Sequence, residues 1–388
     1  MVMTREVLRE IIDLYDEGGV LSVYLTADPR EEATTRPAWR VRTDQGLAAL
    51  RASLSDDRDR SVALASRLDQ LRDEFDRLAD PAGPGRGRAL FAPLGSASVY
   101  TVAMQTDLPD VVRLAPVPHL VPLLRAWTLD APAGAAIVSG DGIRLIDVRF
   151  GIARDTATLP YVDERTDRRE LVGPAAANPA RSQRSAAQHD LSERRATQRT
   201  RSFLRAAGPR IAAIGKHADW HDLVVFGEPE LAAATVEGLP PEAGLPASIV
   251  ARTLTAMVGA QVAGLVTDEL TTRRRDRANR LATQARDTAL SGGPGAYGLP
   301  DVRTALAEAR VAHLIMDADP HWHSRARDGR LVPGEDLLPN ITTDELVDEP
   351  DLPDRMIISA YAAGAEVTVL DQLDPLVPAN GIAALLRW

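Results

Sequence analysis

Apolar and polar positions alternate along this chain in two rhythms, and the switches between them mark its elements. Residues 4–17 repeat apolar positions every three or four residues, a helical period, and Gly18-Gly19 close the run. In VLSVYLT the period falls to two, with Leu21, Val23 and Leu25 on one side, which predicts a strand. From about Trp39 to Leu78 the helical spacing returns through Leu47, Leu50 and Leu54, then Leu64, Leu68, Leu71 and Phe75. The cluster Ser55-Asp56-Asp57 predicts a break into two helices. RALFAPL and ASVYTVAM then read as strands joined around Gly95-Ser96.

The middle of the chain is organised around the stretch from Gly134 to Lys216. It opens with two apolar runs, in AIVSGDGIRLIDV, that flank Gly140-Asp141-Gly142. An Asp-Gly pair between apolar runs predicts a hairpin with a tight turn of positive φ. A polar loop, LVGPAAANPARSQRSAAQHD, follows, and the spacing predicts a helix from about Leu191 to Ile214. DLVVF then predicts a buried strand over Leu223–Phe226, ended by Gly227 and a fresh helix start.

The last third begins with a helical pattern from Ala251 to Leu290, basic at Arg273, Arg274 and Arg275. A Pro-initiated helix feeds an apolar run, Val311–Met316, that predicts a strand. A charged insertion spans Ala318 to Pro353. A helix near Met356 to Ala363, a stop at Gly364 and the strand EVTVL follow. The whole reads as an α/β protein of three α/β domains: 1–127, 128–247 with loop 171–190 and helix 191–214, and 248–388.

Composition narrows the class. A chain of 388 residues, 45% hydrophobic and 26% charged, is long enough for several globular cores. It contains no cysteine, so disulfides and thiolate metal sites are excluded. The opening helix lacks a basic leader and an apolar core, and no apolar run approaches the ~18 residues of a membrane span. A cytoplasmic protein without membrane contact is the expectation. The net charge of −10 argues against indiscriminate nucleic-acid binding.

Charge is nevertheless uneven. Between Arg181 and Lys216, nine basic residues are opposed within that stretch only by Asp190 and Glu193, while 317–374 is dominated by acids. Lys216 is the only lysine, so the basic groups are otherwise guanidinium forks suited to phosphate. Arg181, Gln183, Arg184, Gln188, His189, Arg194, Arg195 and Arg199 are therefore the candidate RNA-binding residues. With aromatics at 4%, base stacking is not the expected mode. A solvated basic face is the competing reading of the same arginines.

Other motifs carry less. GPGAYG, at Gly293–Gly298, has the spacing of a dinucleotide fingerprint but follows a helix instead of a strand, so it reads as an interhelix loop. His321-Trp322-His323 near Asp317 and Asp319, and His217 with His221, have spacings that metal sites use. The first reads as exposed loop histidines and the second as structural. No metal, cofactor or catalytic residue is expected.

The segments AIVSGDGIRLIDV, QHDLSERRATQRTRSFLRAAG and DLVVFGEPELAAATVEGLP resemble the middle domain of the archaeo-eukaryotic release factor and Pelota family, in its bacterial branch. The VLSVYL opening and the order of elements in the last third are similar too, and the resemblance implies that 248–388 folds as a C-terminal α-β-α sandwich. The resemblance implies a ribosome-binding translation factor, with ribosomal RNA, tRNA and a translational GTPase as partners. It also implies a Gly-Gly-Gln tripeptide in the loop of members that hydrolyse peptidyl-tRNA. Here that loop reads RSQRSAAQH, with no Gly-Gly before Gln183 or Gln188. The expectation is occupancy of the A site in hibernation or rescue, without catalysis. The alternatives are an active peptidyl-tRNA hydrolase using Gln183 or Gln188, and a protein-interaction module unrelated to translation.

Overall fold

The described chain opens on an amphipathic helix, Arg5–Ile12 (α1), whose start is capped by the Thr4 hydroxyl accepting from the Val7 amide at 3.2 Å. The structure, a computed structural model, describes residues 3–28, 37–161, 179–254, 257–319, 324–327, 330–333, 346–347 and 351–388. The helix stops at Ile12 and not at residue 17. Asp16 places its carboxylate on the amides of Gly18 (2.8 Å) and Gly95 (2.6 Å), which fixes a turn instead.

The strand Val20–Thr26 (β1) is buried along most of its length. Three helices follow, Ala38–Ser53 (α2), Arg58–Gln70 (α3) and Arg72–Ala79 (α4), one more than the spacing predicts. Asp57 separates the first two by accepting from the Arg60 amide at 3.1 Å. The strands Gly87–Pro93 (β2), Tyr100–Met104 (β3) and Val111–Ala115 (β4) complete an antiparallel sheet of order β3-β2-β1-β4. Leu21, Val23 and Leu25 share one face, as their period requires, and pack with Leu64, Leu68 and Leu78 of the helices. The helix Val121–Asp130 (α5) follows, with Pro122 in its first turn, where no intrahelical N–H bond is lost.

Contacts group the described residues into two units, Met1–Asp130 with Thr271–Trp388, and Ala131–Leu270. The expected divisions at 127/128 and 247/248 fall inside a helix and a strand.

The second unit begins with Ala133–Ser139 (β5), Gly142–Arg149 (β6) and Ile152–Pro160 (β7). A long helix, Pro179–His217 (α6), then leads to Asp222–Phe226 (β8), the helix Pro229–Glu237 (α7) and Ala247–Val250 (β9). The sheet order is β7-β6-β5-β8-β9, with β5, β8 and β9 mutually parallel. The predicted hairpin is present, but its corner is displaced by one residue. Ser139 pairs with Gly142, so Gly140-Asp141 make the turn, and the positive φ (137°) belongs to Gly142. A Cβ on Gly142 would lie 3.0 Å from the Pro160 Cα, so the glycine serves the approach of β7. Neither β7 nor β9 is foreseen by the apolar pattern. The first is largely polar and exposed, and the second is a four-residue edge.

Alternation divides this sheet into two apolar faces. Ala136, Val138, Leu223 and Val225 pack beneath α6 and α7 through Leu204, Ile211 and Ala232. Ala135, Ile137, Val224 and Phe226 pack against Val262, Val266 and Leu270 of the helix Gly259–Leu290 (α8).

The remaining elements are Gly295–Tyr297 (β10), Leu299–Ala307 (α9), Val311–Asp317 (β11), Ser324–Arg327 (β12), Arg330–Pro333 (β13) and Leu346–Val347 (β14). Leu352–Ala362 (α10), Glu366–Leu370 (β15) and Ile382–Leu386 (β16) close the chain. A four-stranded sheet of order β10-β16-β11-β15 takes Ala278, Ala282 and Ala285 of α8 against Ile315, Leu370 and Ala383 on one face. Helices α9 and α10 contact the same strands, giving an α-β-α sandwich.

Three details differ from expectation. Residues 295–297 of GPGAYG are an edge strand paired with Ala383–Leu385, not a free interhelix loop. The stretch 318–353 contains a three-stranded sheet of order β13-β12-β14. Its end also comes earlier, since α10 starts at Leu352 and buries Leu352, Pro353 and Asp354. Gly364 does stop α10, at φ 69°, with the Ala365 amide reaching back to the Ala360 carbonyl at 2.8 Å.

Candidate nucleic-acid interface

The arginine-bearing helix α6 spans 39 residues, roughly 58 Å at the usual rise per residue. It begins at Pro179, twelve positions before the expected Leu191. Pro179 is well suited to a first helical position, and no glycine or proline interrupts the chain until Gly208-Pro209. Ala-rich sequence between them favours helix over loop. Arg181, Gln183, Arg184, Gln188 and His189, expected in a loop, therefore have helical backbone. Residues 171–178 of that loop lie outside the described residues.

The far end of α6 is closed by an Asp219 in the left-handed region (φ 54°). The Trp220 amide donates to the Gly215 carbonyl at 2.8 Å, and the Asp219 amide to the Lys216 carbonyl at 3.3 Å, a paired C-terminal capping pattern. Trp220 then lies between Gly134 of β5 and Gly215 of α6; a Cβ on Gly215 would stand 3.0 Å from its ring. Its indole N–H donates to Asp147 at 2.6 Å. The helix is thus tied to the hairpin at its C-terminal end.

Its packed face is set by Leu204, Ala207 and Ile211. Among the described residues of its earlier turns, positions 195–199 are all exposed. With ~3.6 residues per turn, Arg181, Arg184, Gln188, Arg195 and Arg199 fall on one stripe of helix positions, opposite Leu204 and Ile211. Gln183 and Arg194 fall on the flank that also carries Arg201, and His189 on the flank of Ala207. Five of the eight candidates thus share a face, which a linear reading of a loop followed by a helix does not reveal.

Tertiary structure also subtracts from the basic patch. Arg201 is ion-paired with Glu230, and Arg205 gives both Nε (2.9 Å) and Nη2 (2.6 Å) to Glu237 Oε2. Both acids belong to α7. The sequence count of opposing charges, restricted to Asp190 and Glu193, missed them because they lie about thirty residues downstream. The available signal was the seven-residue spacing of Glu230 and Glu237, which places both on one side of a short helix. Arg195, Arg199 and Arg210 remain exposed on the outer side.

The other candidates assemble no site. α6 ends at His217 and Asp219 turns left-handed, so His217 and His221 do not share a helical face. His321, Trp322 and His323 lie outside the described residues. Among the described residues no group of three or more His, Asp or Glu side chains is placed to hold a metal. No described helix is long and apolar enough to cross a membrane.

No family model matches this chain, and no curated protein matches it. Several solved structures are similar. S. cerevisiae Dom34, a translation termination-like factor interacting with Hbs1, aligns at a TM-score of 0.42 and 10% identity, covering 75% of this chain and 72% of that one. Archaeal Pelota, in a model of ribosome-bound Pelota and ABCE1, gives 0.40 and 12% over 100% and 95%. The archaeal translation termination factor aRF1 gives 0.23 and 15% over 99% and 98%.

Proposed function

We propose that this protein is a ribosome-associated, release-factor-like translation factor that occupies the A site in hibernation or rescue and does not hydrolyse peptidyl-tRNA. The observation that carries the reading is the single stripe of helix positions that Arg181, Arg184, Gln188, Arg195 and Arg199 occupy on α6, on which Arg195 and Arg199 are exposed. Guanidinium groups a turn apart on a rigid rod can meet successive phosphates of a structured RNA, and each such contact releases counterions. The hairpin, helix and strand that present this rod are the segments whose sequence resembles the release-factor middle domain. Partners of the reading are ribosomal RNA, tRNA and a translational GTPase.

The absence of Gly-Gly before Gln183 and Gln188 supports the non-catalytic half of the proposal. The test is co-sedimentation with 70S particles in low and high salt. Binding should be saturable, weaken steeply with salt, and be abolished by the combined change of Arg194, Arg195 and Arg199 to Glu. Unchanged co-sedimentation of that triple variant would return α6 to a merely solvated basic face. Absence of any ribosome binding by the wild type would favour the interaction-module reading.

A further inference from the structure

Two of the arginines on α6 already have anionic partners on a neighbouring helix, and one of those partners sits at the end where that helix disfavours a carboxylate. Glu237 is the last residue of α7, where the helix dipole disfavours a carboxylate. Its environment is accounted for by Arg205, which meets Oε2 through two nitrogens at 2.9 and 2.6 Å. Glu230, in the first turn of α7, pairs with Arg201. Arg201 keeps a further donor, Nε, that has no hydrogen-bond partner among the described residues. The side chains are 31% and 64% exposed in the first pair and 46% and 57% in the second, so both pairs are solvent-facing and weak.

We propose that Glu230 and Glu237 are selectivity-determining residues that act as stand-ins for phosphate, holding Arg201 and Arg205 away from non-cognate RNA. This rests on the RNA-contacting reading of α6. The carboxylates offer the guanidinium forks the anionic acceptor oxygens that a phosphodiester would otherwise provide. A generic RNA gains from the outward stripe alone, because exchanging a carboxylate for a phosphate at Arg201 or Arg205 releases little net charge. Only a surface that presents phosphates in register with both arginines, and room for the displaced acids, gains from them. Such repulsive or competing groups are a common route to discrimination between partners.

The experiment measures binding of the full-length protein to a mixed-sequence RNA duplex, and to 70S particles, as a function of salt. Three variants are compared with wild type: Glu230→Gln with Glu237→Gln; the same pair with Arg201→Gln and Arg205→Gln added; and Glu228→Gln with Glu242→Gln. The last removes the same charge from exposed positions in the same unit that have no arginine partner among the described residues. Neutralising Glu230 and Glu237 should tighten duplex binding several-fold. It should also make the slope of log K against log salt roughly 1.8 more negative, about 0.9 for each added phosphate contact. Adding the two arginine changes should restore the wild-type slope, and the Glu228/Glu242 variant should keep it. An unchanged slope in the first variant, or an equal gain in the charge-matched control, overturns the proposal while leaving RNA binding by α6 intact. Failure of the wild type and every variant to bind either RNA or 70S removes the RNA reading itself, and this proposal with it.

Discussion

Gly208 of α6 lies against Gly238, the residue that ends α7, so closely that neither position has room for a side chain. A Cβ on Gly208 would stand 2.7 Å from the Leu239 amide nitrogen, and one on Gly238 would stand 2.6 Å from the Arg205 Cα. The contact also serves a local need. Pro209 supplies no N–H to the Arg205 carbonyl four residues back, and Gly238 closes over that carbonyl. Gly208→Ala should therefore force the two helices apart and destabilise the second unit by about 1–3 kcal/mol. Gly140→Ala, with nothing within 4 Å of its Cβ, should have little effect. Denaturant unfolding of the two variants checks this, and equal stability would mean that α6 and α7 can separate freely.

Asp354 of α10 ties the first unit together across most of the chain length. Its side chain is 1% exposed, and its Oδ1 accepts from the amides of Leu120 (2.7 Å) and Val121 (3.2 Å), capping α5. Oδ2 faces His119 Nδ1 at 3.0 Å and Arg113 at 3.4 Å. Asp354→Ala leaves two amides and the Arg113 charge without this partner, and should cost about 3–5 kcal/mol. Asp354→Asn, which keeps an acceptor for the amides, should cost less. Chemical denaturation of the three proteins decides it; similar losses for Ala and Asn would show that the cap contributes little.

Burial holds the His313 imidazole below its ordinary pKa, against an opposing influence from Glu366. The unfolded chain therefore takes up this proton first as pH falls through about 6.5. Because the unfolded state then binds more protons, stability contributed by neutral His313 is present above that pH and declines below it, until the folded imidazole also titrates. His313→Gln should flatten the acid side of the stability profile below about pH 6.5. Parallel profiles for wild type and variant would show that His313 is not the titrating group.

Peptide release from a programmed ribosome should be indistinguishable from background. The reaction requires a glutamine amide beside the ester carbonyl and a backbone that approaches the tRNA terminus closely, which paired glycines allow. Here Ser182 precedes Gln183 and Ala187 precedes Gln188, and both lie on helical backbone. Misplacement by about 1 Å can lower a rate on the order of 100-fold. Release that disappears in Gln183→Ala or Gln188→Ala would instead establish a hydrolase.

The sequence by itself determined what depends on near neighbours in the chain. Period-two alternation placed β1, and short continuous apolar runs placed β8 and β11, because each buries most of its positions or one whole face. Turn chemistry fixed Gly364 as a helix stop, and the density of arginines marked α6 as the candidate interface. The displaced hairpin corner and the early start of α6 were errors of local competition: β7 demanded the glycine at 142, and alanine outweighed the look of a polar loop. β9 and β10 were unreadable because short edge strands carry too few apolar residues to show a period.

Only the tertiary structure decided which charges remain available. Arg201 and Arg205 are basic in sequence but paired in space, and Asp354 caps a helix 234 residues away. Electrostatic and hydrogen-bond partners are chosen by distance in the fold, whereas periodicity reports only which side of an element is buried. The position of the arginine-rich segment was written in the sequence; the start of α6 at Pro179 sets the length of its stripe, and α7 packed beside it sets the width.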